Sequence, residues 1–264
     1  MITLVDHIVI LVNDLEQARA NYTTLGFTVS PGGEHTGGAT HNLLICFADG
    51  AYLELLAFQR EEPAHRWWRH VAGGEGLIDF ALLLGDAPDD IAAAASRGLA
   101  LVGPVDGGRL RPDGVQLQWQ TAMVDTEDLP FLIADVTPRP LRVPGGPATK
   151  HANGVTGIAG LTLAVRDLIV SRGRYQALLG SEPSPELPGH ELPDDLPRTA
   201  FALGEAQIGL LQPVGDSSQA ELLRARIAAH GEGIVALALR GDSTSQAGEF
   251  DLTLTHNARM GIVK

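Results

Sequence analysis

Two side chains early in this sequence stand where apolar ones would be expected. His7 lies in DHIVILVNDL, residues 6–15, at the edge of a β-branched run too short for a core helix and better read as a buried strand. Glu54 lies inside Tyr52-Leu53-Glu54-Leu55-Leu56, where a buried carboxylate needs a cation or hydrogen-bond donors to offset its lost hydration. The only cysteine, Cys46, excludes an intrachain disulfide framework and any thiolate cluster. A metal, if there is one, is held by histidine and carboxylate. For His7 the alternative is a strand-edge histidine bonded to backbone.

Other polar groups cluster nearby. GGEHTGGATHN, residues 32–42, carries His35, His41 and Asn42 beside the middle strands of the first repeat; its alternative is a Gly-rich surface loop. No Gly-Lys-Ser/Thr follows these glycines, so they do not form a phosphate loop. Gln116, Gln118 and Gln120 alternate with Val115, Leu117 and Trp119, giving a strand with one amide face. That face could hydrogen-bond a carbonyl ligand or simply meet water. Trp67-Trp68, flanked by Arg66 and Arg69, reads as packing or interface. There is no Gly-x-Ser-x-Gly elbow, and Cys46 sits in an apolar strand without a neighbouring base, so covalent catalysis has no support.

The elements that position these groups repeat. His7 and Asp14 begin a strand and a capped helix that Gly26 closes. Asp79, Asp86 and Gly98 recur at the same spacing, and Gly160, Asp167 and Gly180 nearly so. Leu15 and Tyr22 are matched by Leu168 and Tyr175. A fourth copy starts at HGEGIVALALRGD and lacks the helix. Short strand patterns follow the first helix (FTVS, HNLLICFAD and AYLELLAF, with an Asp49-Gly50 turn), so each unit reads β-α-β-β-β. Four prolines in residues 137–154 mark a linker, placing one domain at 1–145 and a second at 156–264. The acidic Pro-rich stretch 181–198 reads as a surface loop or a cover over a ligand site.

Bulk composition narrows the partners. A net charge of -13 with only 19 Lys and Arg argues against nucleic acid. No apolar run reaches the roughly 20 residues of a membrane span, and no signal-peptide pattern is present. The expected location is the cytoplasm, the expected partner a small molecule, and a homodimer is the expected assembly.

Paired β-α-β-β-β units, DHIVILVNDL at the start, YLELL ending the first unit, THN (40–42) and LPFLI (129–133) resemble the vicinal oxygen chelate superfamily, in particular its glyoxalase-like, bleomycin-resistance and ring-cleaving (extradiol) dioxygenase branch. The resemblance implies an α+β fold of four modules paired into two cup-shaped domains, the last one truncated. It also implies a ligand at the start of each unit's first strand and another in its last strand. His7 and Glu54 fill the first two places, Asp79 the third, and the fourth falls at Ile133 or a neighbour, a departure from the metal-binding pattern. Imidazole and carboxylate on neighbouring strands suit Zn, Fe, Mn or Ni. Asp79 has an alternative partner in an arginine such as Arg111. In the cup so formed, His41 is the candidate base, and His35, Asn42 and Gln118 are candidate substrate ligands.

Two functions follow from the resemblance. One is a divalent-metal lyase, isomerase or dioxygenase that stabilises an enolate-type oxyanion. The other is a metal-free module that sequesters a small molecule, a cationic one being compatible with the net charge. In the second half, Gly160 and Gly209 stand opposite His7 and Glu54, and Val235 or Ala236 opposite Asp79, so that half is expected to carry no metal. His7 and Glu54 are expected to converge on the concave face of the first.

Overall fold

The β-branched run that opens the chain becomes strand β1 (Leu4–Leu11), buried on both faces. Asp14 then starts helix α1 (Leu15–Thr24): its carboxylate accepts from the Glu16 and Gln17 N–H groups, which have no partner within the helix. The structure, a computed structural model, describes residues 2, 4–184 and 196–263. The first unit continues through β2 (Ser30–His35), β3 (Thr40–Cys46) and β4 (Tyr52–Phe58). The second comprises β5 (Gly76–Leu83), α2 (Ala87–Ser96), β6 (Val102–Leu110), β7 (Gln116–Met123) and β8 (Phe131–Asp135). A short helix α3 (Arg139–Arg142) leads to β9 (Val155–Ala164), α4 (Leu168–Leu179), β10 (Arg198–Leu203), β11 (Ala206–Leu211) and α5 (Ser218–His230). The chain ends with β12 (Gly233–Gly241), β13 (Gly248–Glu249) and β14 (Met260–Val263).

Asp86 and Asp167 cap α2 and α4 as Asp14 caps α1. Gly26, Gly98 and Gly180, just past the three helices, have φ of +88°, +89° and +68°, a conformation that glycine adopts without penalty. Most of the acidic loop expected at 181–198 lies outside the described residues. Helix α5, capped by Ser217, has no counterpart in the sequence reading.

The first two units close into one barrel of order β1-β4-β3-β2-β6-β7-β8-β5. β1 is its spine, parallel to β4 and antiparallel to β5. The ring is joined at β2 and β6 by only two residue pairs, Glu34 with Leu110 and His35 with Arg109. The other half is an open sheet of order β10-β11-β9-β12-β14-β13. Its last unit has no counterpart of α2 or β6 among the described residues, and without that strand there is nothing to complete a ring.

The Gly-rich stretch is not wholly a surface loop. Gly32 and Gly33 belong to β2, and a Cβ on Gly32 would fall 1.9 Å from Asn42 Oδ1. Glycine is what allows β2 to approach β3 there.

One apolar cluster runs through both halves, joining Ile8, Ile10 and Phe80 to Leu161, Phe201 and Leu237. The repeat-related tyrosines tie the halves reciprocally. Tyr22 of α1 donates to the Thr255 carbonyl at 3.0 Å, and Tyr175 of α4 donates to the Asp128 carbonyl at 2.8 Å. Each tyrosine is fully buried, but the Thr255 carbonyl also accepts from the Ala258 N–H at 3.1 Å. Tyr175→Phe is expected to cost about 1–3 kcal/mol in urea unfolding and Tyr22→Phe about 0.5–1.5 kcal/mol, with both halves still melting in one transition. Two separate transitions would mean that the shared core does not couple them.

Candidate functional site

The barrel encloses a cavity of about 330 Å³. Its polar wall includes His7, His35, Asn42, Glu54 and Arg109, and its apolar wall Trp67, Trp119, Met123, Phe131 and Ile133. His7 and Glu54, the two residues singled out from sequence, meet here: His7 Nε2 lies 3.3 Å from Glu54 Oε2. His35 Nε2 lies 3.3 Å from the other Glu54 oxygen, which also accepts from Asn42 Nδ2 at 2.6 Å. His35 is in turn held through Nδ1 by the Thr40 hydroxyl at 2.8 Å. Burial would push the Glu54 carboxyl up, but His35 and His7 outweigh it and hold it well below the usual carboxylate range.

Asp6 orients His7. In the β1–β5 ladder Val5 pairs with Leu82 and His7 with Ala81, so Asp6 is an extra, bulged residue. The bulge brings its carboxylate to 2.6 Å from His7 Nδ1. Arg142 grips the same carboxylate with two nitrogens at 2.8 Å, and Arg139 adds a third contact at 2.5 Å. Both arginines also bind Asp135, and Arg142 donates to the Tyr52 hydroxyl, whose ring stacks on His7 at 4.6 Å. Burial opposes the ionised form of Asp6, yet Arg142 and His7 hold it well below its ordinary value. Burial likewise disfavours imidazolium at His7, but Asp6 and Glu54 overcome that and raise its pKa.

Strand register identifies the four places where the resemblance puts metal ligands. Val9 pairs with Glu54 in β4 and with Asp79 in β5; reciprocally, Ala81 pairs with His7 and with Phe131 in β8. The fourth place is therefore Phe131, not Ile133, and its ring stands edge-on to His7 at 5.3 Å. The third place, Asp79, departs from the expected ligand role. Its carboxylate binds Arg66 at 2.8 Å and the Trp67 indole N–H at 2.7 Å, and the Arg66 guanidinium lies over the Phe131 ring. Arg66, rather than Arg111, is its ion partner. Among the described residues no three His, Cys, Asp or Glu side chains are grouped to hold one ion. The donor set does not fit a four-ligand centre.

In the second half the same register holds, with Gly160, Gly209, Ala236 and Gly261 at the corresponding places. None has a side chain that can bind an ion.

Two other expectations fail on strand parity. Thr40 and Asn42 of β3 line the cavity, so His41 between them faces outward and lines a separate surface depression with Glu34. It cannot act as a base inside the cup. On β7, Trp119, Thr121 and Met123 line the cavity, whereas Gln118 is exposed and borders an outer groove. The amide face is the outer one.

Asp6, Arg109, Arg139 and Arg142 were not among the sequence candidates. The adjacent Asp6-His7 pair was a usable signal; the arginines of TPRPLR were hidden in an apparent linker.

A barrel of paired β-α-β-β-β units around a histidine on the first strand and a glutamate on the fourth is the architecture of the vicinal oxygen chelate superfamily. The chain belongs to the glyoxalase-like domain family, whose model matches residues 5–179. No curated protein matches it. Among solved structures, a hypothetical protein from Staphylococcus aureus is similar over 98% of both chains, with TM-score 0.72 and 14% identity. A mutant of 4-hydroxymandelate synthase from Streptomyces coelicolor is similar over 92% of this chain and 72% of that one, with TM-score 0.59 and 16% identity. A xylose isomerase-like TIM barrel/4-hydroxyphenylpyruvate dioxygenase fusion protein is similar over 92% of this chain and 37% of that one, with TM-score 0.53 and 16% identity. These likenesses establish a shared fold. Among the described residues no helix is long and apolar enough to cross a membrane.

The charge network makes stability depend on pH in a defined way. The depressed carboxyls of Asp6 and Glu54 contribute fully above the ordinary carboxylate pKa of about 4 and lose that contribution as pH falls through their folded values. The raised His7 contributes fully below about pH 6.5 and loses its contribution as pH rises through its folded value. Urea unfolding across pH is expected to show both arms, with His7→Gln flattening the alkaline one. Arg142→Met, which strips the main partner from a buried carboxylate, is expected to cost about 3–5 kcal/mol.

Proposed function

We propose that this protein binds a small organic molecule inside the barrel, on a metal-free polar floor made by His7, Glu54, His35 and Asn42. The observation that carries this reading is the occupation of the other half of the symmetric site by Phe131 and by an Asp79 carboxylate already neutralised by Arg66. A ring and a guanidinium stand where two further ligands would be needed. The floor is also internally satisfied: each Glu54 oxygen has a donor within 3.3 Å, and both nitrogens of the His7 ring face carboxylates. Such a floor is preorganised for recognition. The 330 Å³ cavity suits a ligand of about a dozen heavy atoms.

One observation favours a divalent-metal lyase, isomerase or dioxygenase instead. The Asp6 carboxylate on His7 Nδ1 is the arrangement that orients metal-bound imidazoles, with Glu54 as the neighbouring donor. Metal analysis of protein purified without chelator, followed by melting with Zn, Mn, Fe(II) and Ni, separates the two. The binding reading expects no shift in wild type that His7→Ala abolishes. A site-bound metal at one hundred times its Kd would instead stabilise wild type by about 2.7 kcal/mol and His7→Ala far less. That result would overturn the proposal.

A further inference from the structure

The cavity is ringed by arginines, and one of them lacks a counter-charge. Arg66 is paired with Asp79 at 2.8 Å, and Arg139 and Arg142 share Asp6 and Asp135. Arg109 lines the same cavity, is only 3% exposed, and makes no ion pair among the described residues. Its Nη1 donates to Asn42 Oδ1 at 3.1 Å and its Nη2 to the Arg142 carbonyl at 3.2 Å, both neutral acceptors. Its Nε is buried with no hydrogen-bond partner. Burial lowers the pKa of this guanidinium and outweighs the opposing pull of Tyr52 and Glu54.

Glu54, the carboxylate on the cavity floor, offsets that burial only in part and makes no ion pair with Arg109. Its oxygens are engaged by His7, His35 and Asn42, and the Asn42 amide stands between it and Arg109, donating to Glu54 through Nδ2 and accepting from Arg109 Nη1 through Oδ1. The fold nevertheless makes room for the guanidinium. A Cβ on Gly32 would lie 2.8 Å from Arg109 Nη1, and one on Gly33, whose φ is +144°, would lie 3.3 Å from Arg109 Cγ. Two consecutive strand residues thus forgo side chains where Arg109 packs. An immobilised guanidinium on a cavity wall, hydrogen-bonded to neutral acceptors and without an ion pair among the described residues, is a receptor for a planar oxyanion.

Accepting that the barrel binds a small organic molecule, we propose that Arg109 anchors a carboxylate on that ligand, whose apolar or aromatic body lies against Trp67, Trp119 and Phe131. Arg109 is the buried cavity cation without an ion pair among the described residues, and one carboxylate would match it; Asp106 also lines the cavity but sits on an exposed part of β6, hydrogen-bonded to Gln120. A phosphate dianion would add surplus charge beside Glu54 and Asp106, and an ammonium ligand would meet the unmatched guanidinium.

Trp67 and Trp119 line the cavity, so binding can be read from tryptophan fluorescence. The probes are 3-phenylpropionate, its uncharged amide, 3-phenylpropylamine and inorganic phosphate, each titrated into wild type and Arg109→Met. Wild type is expected to bind the acid at least about tenfold more tightly than the amide, and Arg109→Met is expected to lose that preference while still binding the amide. Equal affinity of wild type for acid and amide, tighter binding of the amine, or an unchanged acid preference in Arg109→Met overturns the Arg109 assignment and leaves the binding cup standing. Phosphate binding as tightly as the acid overturns the carboxylate class. Failure of all four probes to bind overturns both proposals. If Arg109→Met does not fold, the matched acid, amide and amine on wild type still decide.

Discussion

The Asp6 carboxylate is the point on which the first half of this molecule is organised. It is completely buried, and it survives as an anion because two arginines and an imidazole surround it. Those partners come from distant parts of the chain: His7 is its neighbour, whereas Arg139 and Arg142 arrive on a short helix after the barrel is complete. An unpaired carboxylate at this depth would cost several kcal/mol, so the segment after β8 must dock for β1 to hold its sequence. The same ion cluster sets the His7 ring against Tyr52 and fixes one wall of the cavity. Removing a residue of the apparent linker therefore disturbs the cup, although Arg139 and Arg142 lie outside the barrel strands.

The internal repeat explains which parts of the ancestral pattern persist. Caps and packing residues are kept in both halves because each of the three copies that has a helix needs it started and its core filled. The polar positions are free to diverge. In the barrel they have become an imidazole, a carboxylate, a carboxylate locked to arginine, and a phenyl ring; in the open sheet they are three glycines and an alanine. The second half instead supplies packing area and the reciprocal tyrosine ties, which steady β1 and β5 from behind.

What could be read from sequence was what local chemistry decides. Asp14, Asp86 and Asp167 cap helices because an acceptor is needed within the first turn, and that need is visible in a short window. The pairing of Glu54 with the strand of His7 followed from the family resemblance. The failures were of parity and distance. His41 and Asn42 are adjacent in sequence and face opposite sides of β3, and the Gly-rich approach hides which one turns inward. The alternation of Gln118 was evident, but which face met water depended on the closure of the barrel. Asp6 and Arg142 are 136 residues apart, and no local pattern joins them. Prolines around the arginines suggested a spacer, whereas they shape a docked turn.

The closure of the barrel resembles a clasp more than a weld. Two residue pairs join β2 to β6, extended by the Thr36 N–H to the Gly108 carbonyl at 3.0 Å, and one pair brings His35 opposite Arg109, so the rung that completes the hoop also carries two groups that face the cavity. A molecule held by both residues would bridge the clasp from inside and add its own binding energy to a weak seam. Opening the seam would pull those residues apart and dismantle the grip at the same moment. On the proposed binding reading, occupancy and closure would be linked, because whatever favours the shut hoop would also favour the guest.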